Sequence, residues 1–143
     1  MKSLRVLIFG LPGSGKTTLA IKLAKKLGAV HLNADKVRGQ FEDWDFSDEG
    51  RLRQALRMSD LAKSSEAQYV IMDFVCPTRQ LREIVSADVS IFMNTIAKGR
   101  FEDTNKLFEL PADVEEINYT IQEKNSDQDA QRIANELMTL DTN

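Results

Sequence analysis

One cysteine in the whole chain, Cys76, excludes an internal disulfide and suits a reducing, cytoplasmic setting. No apolar run approaches the ~20 residues that a membrane-crossing helix needs, and the first residues lack the apolar centre of a secretory signal, so no membrane is expected as a partner. Lysine and arginine are nowhere massed and the pI is about 5.2, so nucleic acid is not expected as a partner either. No segment repeats and none is of low complexity. The 143 residues are too few for two cores. The chain therefore reads as one domain, 1–143, with 42% hydrophobic and 29% charged residues, an ordinary globular composition.

The charge that is present is unevenly spread. Residues 1–101 hold 16 Lys and Arg against 11 Asp and Glu, whereas residues 102–143 hold 3 against 11. The basic excess upstream suits an anionic small-molecule substrate, and the acidic tail reads as a solvated face.

One stretch carries chemistry on its own. Gly10–Thr18, GLPGSGKTT, fits the pattern G-x-x-x-x-G-K-[ST] at Gly10, Gly15, Lys16 and Thr17. Gly13 and Gly15 can take backbone angles closed to other residues, so successive N–H groups can turn inward around polyphosphate oxygens. With Pro12, Ser14 and Thr18 they form the expected ATP cradle. Lys16 reaches the β- and γ-phosphates, and the Thr17 hydroxyl is placed to ligate Mg²⁺. The flanks agree: Leu4–Phe9 is an apolar strand, and Thr18–Leu27 reads as a helix that stops at Gly28, with Ala20, Leu23, Ala24 and Leu27 on one face.

Downstream, strands and helices alternate. Ala29–Asn33 reads as a strand whose single histidine, His31, is structural, and Ala34–Arg38 follows at the edge where open sheets bind ligands. Gly39–Phe46 has no period and reads as a loop. Ser47 caps a helix to about Ser64, with Leu52, Ala55, Leu56, Ser59 and Ala62 toward the core and Arg51 and Gln54 facing the Asp35 loop. Gln68–Asp73 is a buried strand ending in a carboxylate suited to Mg²⁺, although a terminal Asp also forms turns. Thr78–Val85 is a helix, Asp88–Met93 and Glu116–Ile121 are strands, and Asp127–Leu140 is a closing helix with Ala130, Ile133, Ala134, Leu137 and Met138 inward. The expected fold is a three-layer α/β/α sandwich of the P-loop NTPase type, with five parallel strands in the order 2-3-1-4-5.

Four motifs together resemble the adenylylsulfate kinases, which phosphorylate the 3′-hydroxyl of adenosine 5′-phosphosulfate (APS) from ATP. That family pairs a GLSGSGKTT-like loop with LDGDNVR, then GFSxxDR, then a FISP-like turn. This chain has GLPGSGKTT at 10–18, LNADKVR at 32–38, DFSDEGR at 45–51 and DFVCPTR at 73–79, in the same order. The resemblance implies Asp35 as the base beside Mg²⁺, with Lys16 as its catalytic partner. It implies Arg38 and Arg51 as acceptor-gripping arginines, Phe46 as an adenine-stacking ring, and Gln54, Phe74, Val75 and Cys76 as further acceptor contacts.

Three departures accompany it. Asn33 replaces the first aspartate of LDGDNVR, and Asp73 stands where the family has a small uncharged residue. The basic lid after the fourth strand is deleted: Ser90–Thr95 runs almost directly into Ile96–Leu110, which resembles the family's later GID…YEAPE region. Only Lys98 and Arg100 are left as cations there. The residues keep three readings open: an APS kinase, a kinase for another hydroxyl on a nucleotide, sugar or polynucleotide end, and a nucleotide-binding module without transfer. They also leave open a homodimer and whether Asp35 or Asp73 dominates the metal site. The Gln122–Ser126 loop is the expected contact for the ATP base.

Overall fold

The computed structural model describes residues 3–141. The order of elements is β1 (Leu4–Phe9), α1 (Lys16–Leu27), β2 (Val30–Asn33), α2 (Ala34–Phe41), α3 (Asp48–Lys63) and β3 (Tyr69–Asp73). It continues with α4 (Arg79–Val85), β4 (Val89–Met93), α5 (Glu102–Leu107), β5 (Tyr119–Ile121) and α6 (Ser126–Asp141). The five strands form one parallel sheet in the order β2-β3-β1-β4-β5. The sheet is the one read from the sequence.

Alternation along the strands divides the core in two. Val6 and Ile8 of β1 join Leu19, Ala20 and Leu23 of α1 and Ala130, Ile133, Ala134 and Leu137 of α6 on one face. Leu7 and Phe9 join Val37 of α2, Ala55, Met58 and Ala62 of α3, and Leu81 and Val85 of α4 on the other. Both faces of β1 are therefore covered, which is why its sequence is apolar from Val6 to Phe9.

Several local expectations need correction. α1 begins at Lys16, two residues early, since Gly15 in a left-handed conformation already turns the chain into the helix. Gly39–Phe46 is not wholly loop: α2 runs through Phe41, started by the Asn33 side chain, which accepts the Lys36 amide at 3.0 Å, and ended by Glu42 at φ 51°. On α3, Leu52 and Leu56 face outward at 38% and 50% exposure, because the buried face is rotated toward Gln54 and Met58. Met138 on α6 is likewise 39% exposed. β5 is also shorter than the expected Glu116–Ile121, beginning at Tyr119, whereas α3 and α4 start where expected, with Ser47 accepting the Gly50 amide and Thr78 accepting the Leu81 amide as caps.

Candidate active site

The carboxyl ends of β1, β2 and β3 meet at one edge, and the parallel register aligns them there: Asn33 lies opposite Asp73, which in turn pairs with Ile8. Between β1 and α1 the glycine-rich loop takes three positive φ values, at Gly10 (154°), Gly13 (87°) and Gly15 (101°). A Cβ at Gly10 would stand 2.8 Å from the Met93 carbonyl, so the turn needs glycine for space as well as for angle. Gly15 caps α1 with no side chain. The first-turn amides of α1 therefore have no local acceptor and are free for an anion.

Side chains from all around fix the peptide planes of this loop. Lys16 Nζ donates to the Leu11 carbonyl at 3.0 Å, Lys124 Nζ to that of Gly13 at 2.9 Å, and Thr95 Oγ1 to that of Ser14 at 2.6 Å. Ser14 is fully buried and its hydroxyl has no partner among the described residues. Burial lowers the Lys16 pKa, the charges of Asp73 and Asp35 oppose this, and the charge of Arg100 adds to it. A cavity of about 350 Å³ opens over the loop, lined by Gly13, Gly15, Lys16 and Thr17 on one side and by Arg100, Lys124 and Asp129 on the other. Asn125 and Ser126 also line it, so part of the Gln122–Ser126 loop reaches this cavity, whereas Lys98 does not line it.

Asp73 is 2% exposed. Asn33 donates to its carboxylate at 2.9 Å, and His31 Nε2 lies 3.2 Å from the same oxygen. Burial pushes its carboxyl pKa up, but hydrogen bonds from His31, Thr17 and Asn33 together with the Lys16 charge outweigh burial and hold it below the ordinary value. Asp73 is thus kept ionised beside the Thr17 hydroxyl. Among the described residues no cluster of three or more His, Cys, Asp or Glu could hold a metal by itself. Two hard oxygens next to a phosphate cradle fit Mg²⁺ all the same, since that ion usually keeps waters and takes its other ligands from the substrate. Asp35, exposed on the first turn of α2, acts on Lys16 through its charge.

The expected acceptor residues divide. The Phe46 ring, 51% exposed, has two guanidinium groups near it: Arg38 at 4.3 Å from its centroid and Arg51 at 5.6 Å. Arg38 is itself 3% exposed and donates to the carbonyls of Asp43 and Asp45, so it holds the loop that carries Phe46. Gln54 faces the Asp35 segment as expected, but from within the core. It is fully buried, donating to the Ala34 carbonyl at 3.0 Å and accepting from Arg57 at 2.7 Å, and so ties α3 to the helix that bears Asp35. Phe74 and Cys76 lie in the core as well, which leaves Val75 as the partly exposed member of that turn. Burial pushes the Cys76 thiol pKa up, and its thiol packs as a small apolar group.

Several residues escaped the sequence reading. His31, expected to be structural, contacts the Asp73 carboxylate. Gly50 admits no side chain, since a Cβ there would lie 2.1 Å from the Asp45 carbonyl. Thr95 and Lys124 reach the phosphate loop from 81 and 111 residues away. Only the tight DFSDEG turn offered a local signal, at Gly50.

Comparisons with known proteins agree with this geometry. The adenylylsulphate kinase family model matches residues 2–108. A curated relative from Aeropyrum pernix, named a probable adenylyl-sulfate kinase, is 35% identical over 114 residues, covering 71% of this chain and 62% of that protein. The chain thus spans less than two thirds of that relative's length. Among solved structures, the APS kinase CysC of Mycobacterium tuberculosis in complex with AMPPNP and APS superposes with a TM-score of 0.76 at 18% identity, covering 96% of this chain and 98% of that one. Shikimate kinase from Acinetobacter baumannii in complex with shikimate superposes with a TM-score of 0.64 at 18% identity, covering 96% and 94%. At such identities the two structures speak for the fold alone.

Proposed function

The chain belongs to the adenylylsulfate kinase family, and from that premise we propose that it transfers the γ-phosphoryl group of ATP to the 3′-hydroxyl of APS in the cytoplasm. The observation that carries this reading is the placement of α2. One short helix brings Asp35 within electrostatic reach of Lys16 and sets Arg38 against Phe46, so one element adjoins both the donor cradle and a cationic, aromatic acceptor platform. Phosphoryl transfer asks for little more than that alignment and for charge to meet the moving group.

In the proposed reaction the loop amides and Lys16 hold the ATP phosphates. Phe46 stacks on the acceptor's adenine, Arg51 confines its anionic end, and Val75 is a further acceptor contact. Asp35 takes the proton from the 3′-hydroxyl as that oxygen bonds to the γ-phosphorus and the bond to the β-bridging oxygen breaks, releasing ADP. Bound Mg²⁺, held by Thr17 and Asp73, would supply neutralisation of the phosphate charge. The resemblance puts a carboxylate where Asn33 stands and a small residue where Asp73 stands. Here the acid sits one strand over, directly across the register, and Asn33 donates to it. The negative charge is moved rather than lost, and two facing carboxylates are avoided.

The test is ATP consumption with Mg²⁺, with and without APS, and chromatography of the 3′-phosphorylated product. Acceptor-dependent turnover on the order of 1–100 per second is the expected result. ATP binding with no such product would overturn the reading. Because Gln54 and Cys76 are buried, a panel of other nucleotide and sugar hydroxyls belongs in the same assay.

A further inference from the structure

In the segment after β4, three points fasten the backbone to the phosphate loop. Thr95 donates to the Ser14 carbonyl, and the Ile96 side chain lies in contact range of a Cβ at Gly13. Gly99 sits so close that a Cβ there would be 2.9 Å from the Pro12 carbonyl. A fourth contact closes the segment on itself. The Asn105 side chain of α5 pairs with both backbone groups of Gly99, accepting its N–H at 2.7 Å and donating to its carbonyl at 2.9 Å. The next residue is Arg100.

The surroundings of Arg100 are unusual for a cation. It lines the phosphate cavity with Lys16 and Lys124, and among the described residues its guanidinium has no hydrogen bond and no ion pair; it only stacks over Phe101, at 5.4 Å from the ring. Cations converging with only Asp129 as an acid among the cavity-lining residues are a repulsive arrangement until an anion enters. A guanidinium on a rigid turn suits phosphate oxygens, which it can meet with two parallel N–H groups.

We infer that Arg100 is the clamp on the terminal phosphate of the bound nucleotide, and that Asn105 is the positioning residue that aims it by gripping Gly99. In this chain a fixed strap does what a closing lid would do: the cation is in place before the nucleotide arrives. The inference rests on the phosphotransfer reading for its purpose, and its test does not need an acceptor.

The experiment is calorimetric titration of AMPPNP and of ADP, each with Mg²⁺, into the intact protein and its variants. Arg100→Ala, at an exposed position, is expected to weaken AMPPNP about tenfold while leaving ADP within about twofold, since the lost contact is to the terminal phosphate alone. Arg100→Lys should recover part of that preference. Asn105→Ala should reproduce the Arg100→Ala loss and, in turnover assays, lower kcat more than it raises KM for ATP. If Asn105→Ala loses its far-ultraviolet dichroism, Asn105→Asp, which keeps the acceptor for the Gly99 amide, takes its place with an intermediate loss. An Arg100→Ala protein that keeps the full preference for AMPPNP overturns the clamp. An Asn105 variant that keeps it while Arg100→Ala loses it overturns the positioning role. A wild-type protein that phosphorylates no acceptor but loses its preference on Arg100→Ala would overturn the kinase reading and leave the clamp standing.

Discussion

Two loops at the carboxyl edge of the sheet face each other across the site, and they are held by opposite means. The phosphate loop is fixed by backbone: its carbonyls accept from Lys16, Thr95 and Lys124, and glycines let it pass against Met93. The acceptor loop, residues 42–47, is fixed by charge. Asp43 accepts from Arg53 at 2.7 Å and from Arg57 at 2.8 Å, and Asp45 accepts from Arg53 at 3.2 Å. The Lys16 bond of the first set is buried, while Arg53 and Asp45 of the second are about half exposed, where ion pairs are weak and screened by salt. The donor side should therefore be indifferent to salt and mild acid, and the acceptor side should answer to both.

That contrast can be broken in order of size. Asp35→Asn should lower kcat by about 10²–10⁴, the usual contribution of a general base, with ATP affinity unchanged by calorimetry. Gly50→Ala comes next. The new Cβ has no room beside Asp45, so the loop must move, and KM for the acceptor should rise about tenfold or more while AMPPNP affinity holds. Thr95→Val is the converse: removing the bond to the Ser14 carbonyl should weaken AMPPNP several-fold, in line with one lost hydrogen bond, and leave the acceptor KM alone. A variant that moved both sides equally would show that the two loops are one mechanical unit.

The smallest effect is the acid response of the acceptor loop. Hydrogen bonds from Arg53 and then Arg57 hold the Asp43 carboxyl well below the ordinary carboxylate range. A depressed carboxylate stabilises the fold fully above its unfolded value of 3.8, and that stabilisation fades as pH falls from there toward the lower folded value. Trp44, the only tryptophan and 56% exposed, lies in this loop. Its emission should shift below about pH 4 before far-ultraviolet dichroism changes, and Asp43→Asn should show the shifted emission at neutral pH. Coincident transitions would show that the loop unfolds only with the whole domain.

What could be read in the sequence was what is local. The phosphate loop is nine consecutive residues whose types are dictated by one job, and the central strands β1 and β3 announce themselves by the apolar runs Val6–Phe9 and Tyr69–Met72 because both sheet faces are covered there. α2 was hidden because its cap, Asn33, is also the last residue of β2, so strand and helix share a boundary with no turn between them. The face of α3 was misjudged because Leu52 and Leu56 look like core while Gln54 looks like surface. Only the partners of Gln54, the Ala34 carbonyl and Arg57, make its burial cheap, and one of them lies 20 residues away. Thr95 was illegible as a site residue for the same reason, since a side chain that serves a distant backbone carries no local pattern, and Lys124 was legible only as part of the Gln122–Ser126 loop.

The burial of Cys76 has a practical side. The thiol is enclosed completely, its deprotonation is made harder by that enclosure, and it is the only one in the chain. Alkylating reagents applied to the folded protein should find nothing to attack. A cysteine introduced at an exposed position such as Lys98 would then be the sole reactive handle, and a dye or spin label placed there would report on the strap without removal of the native residue.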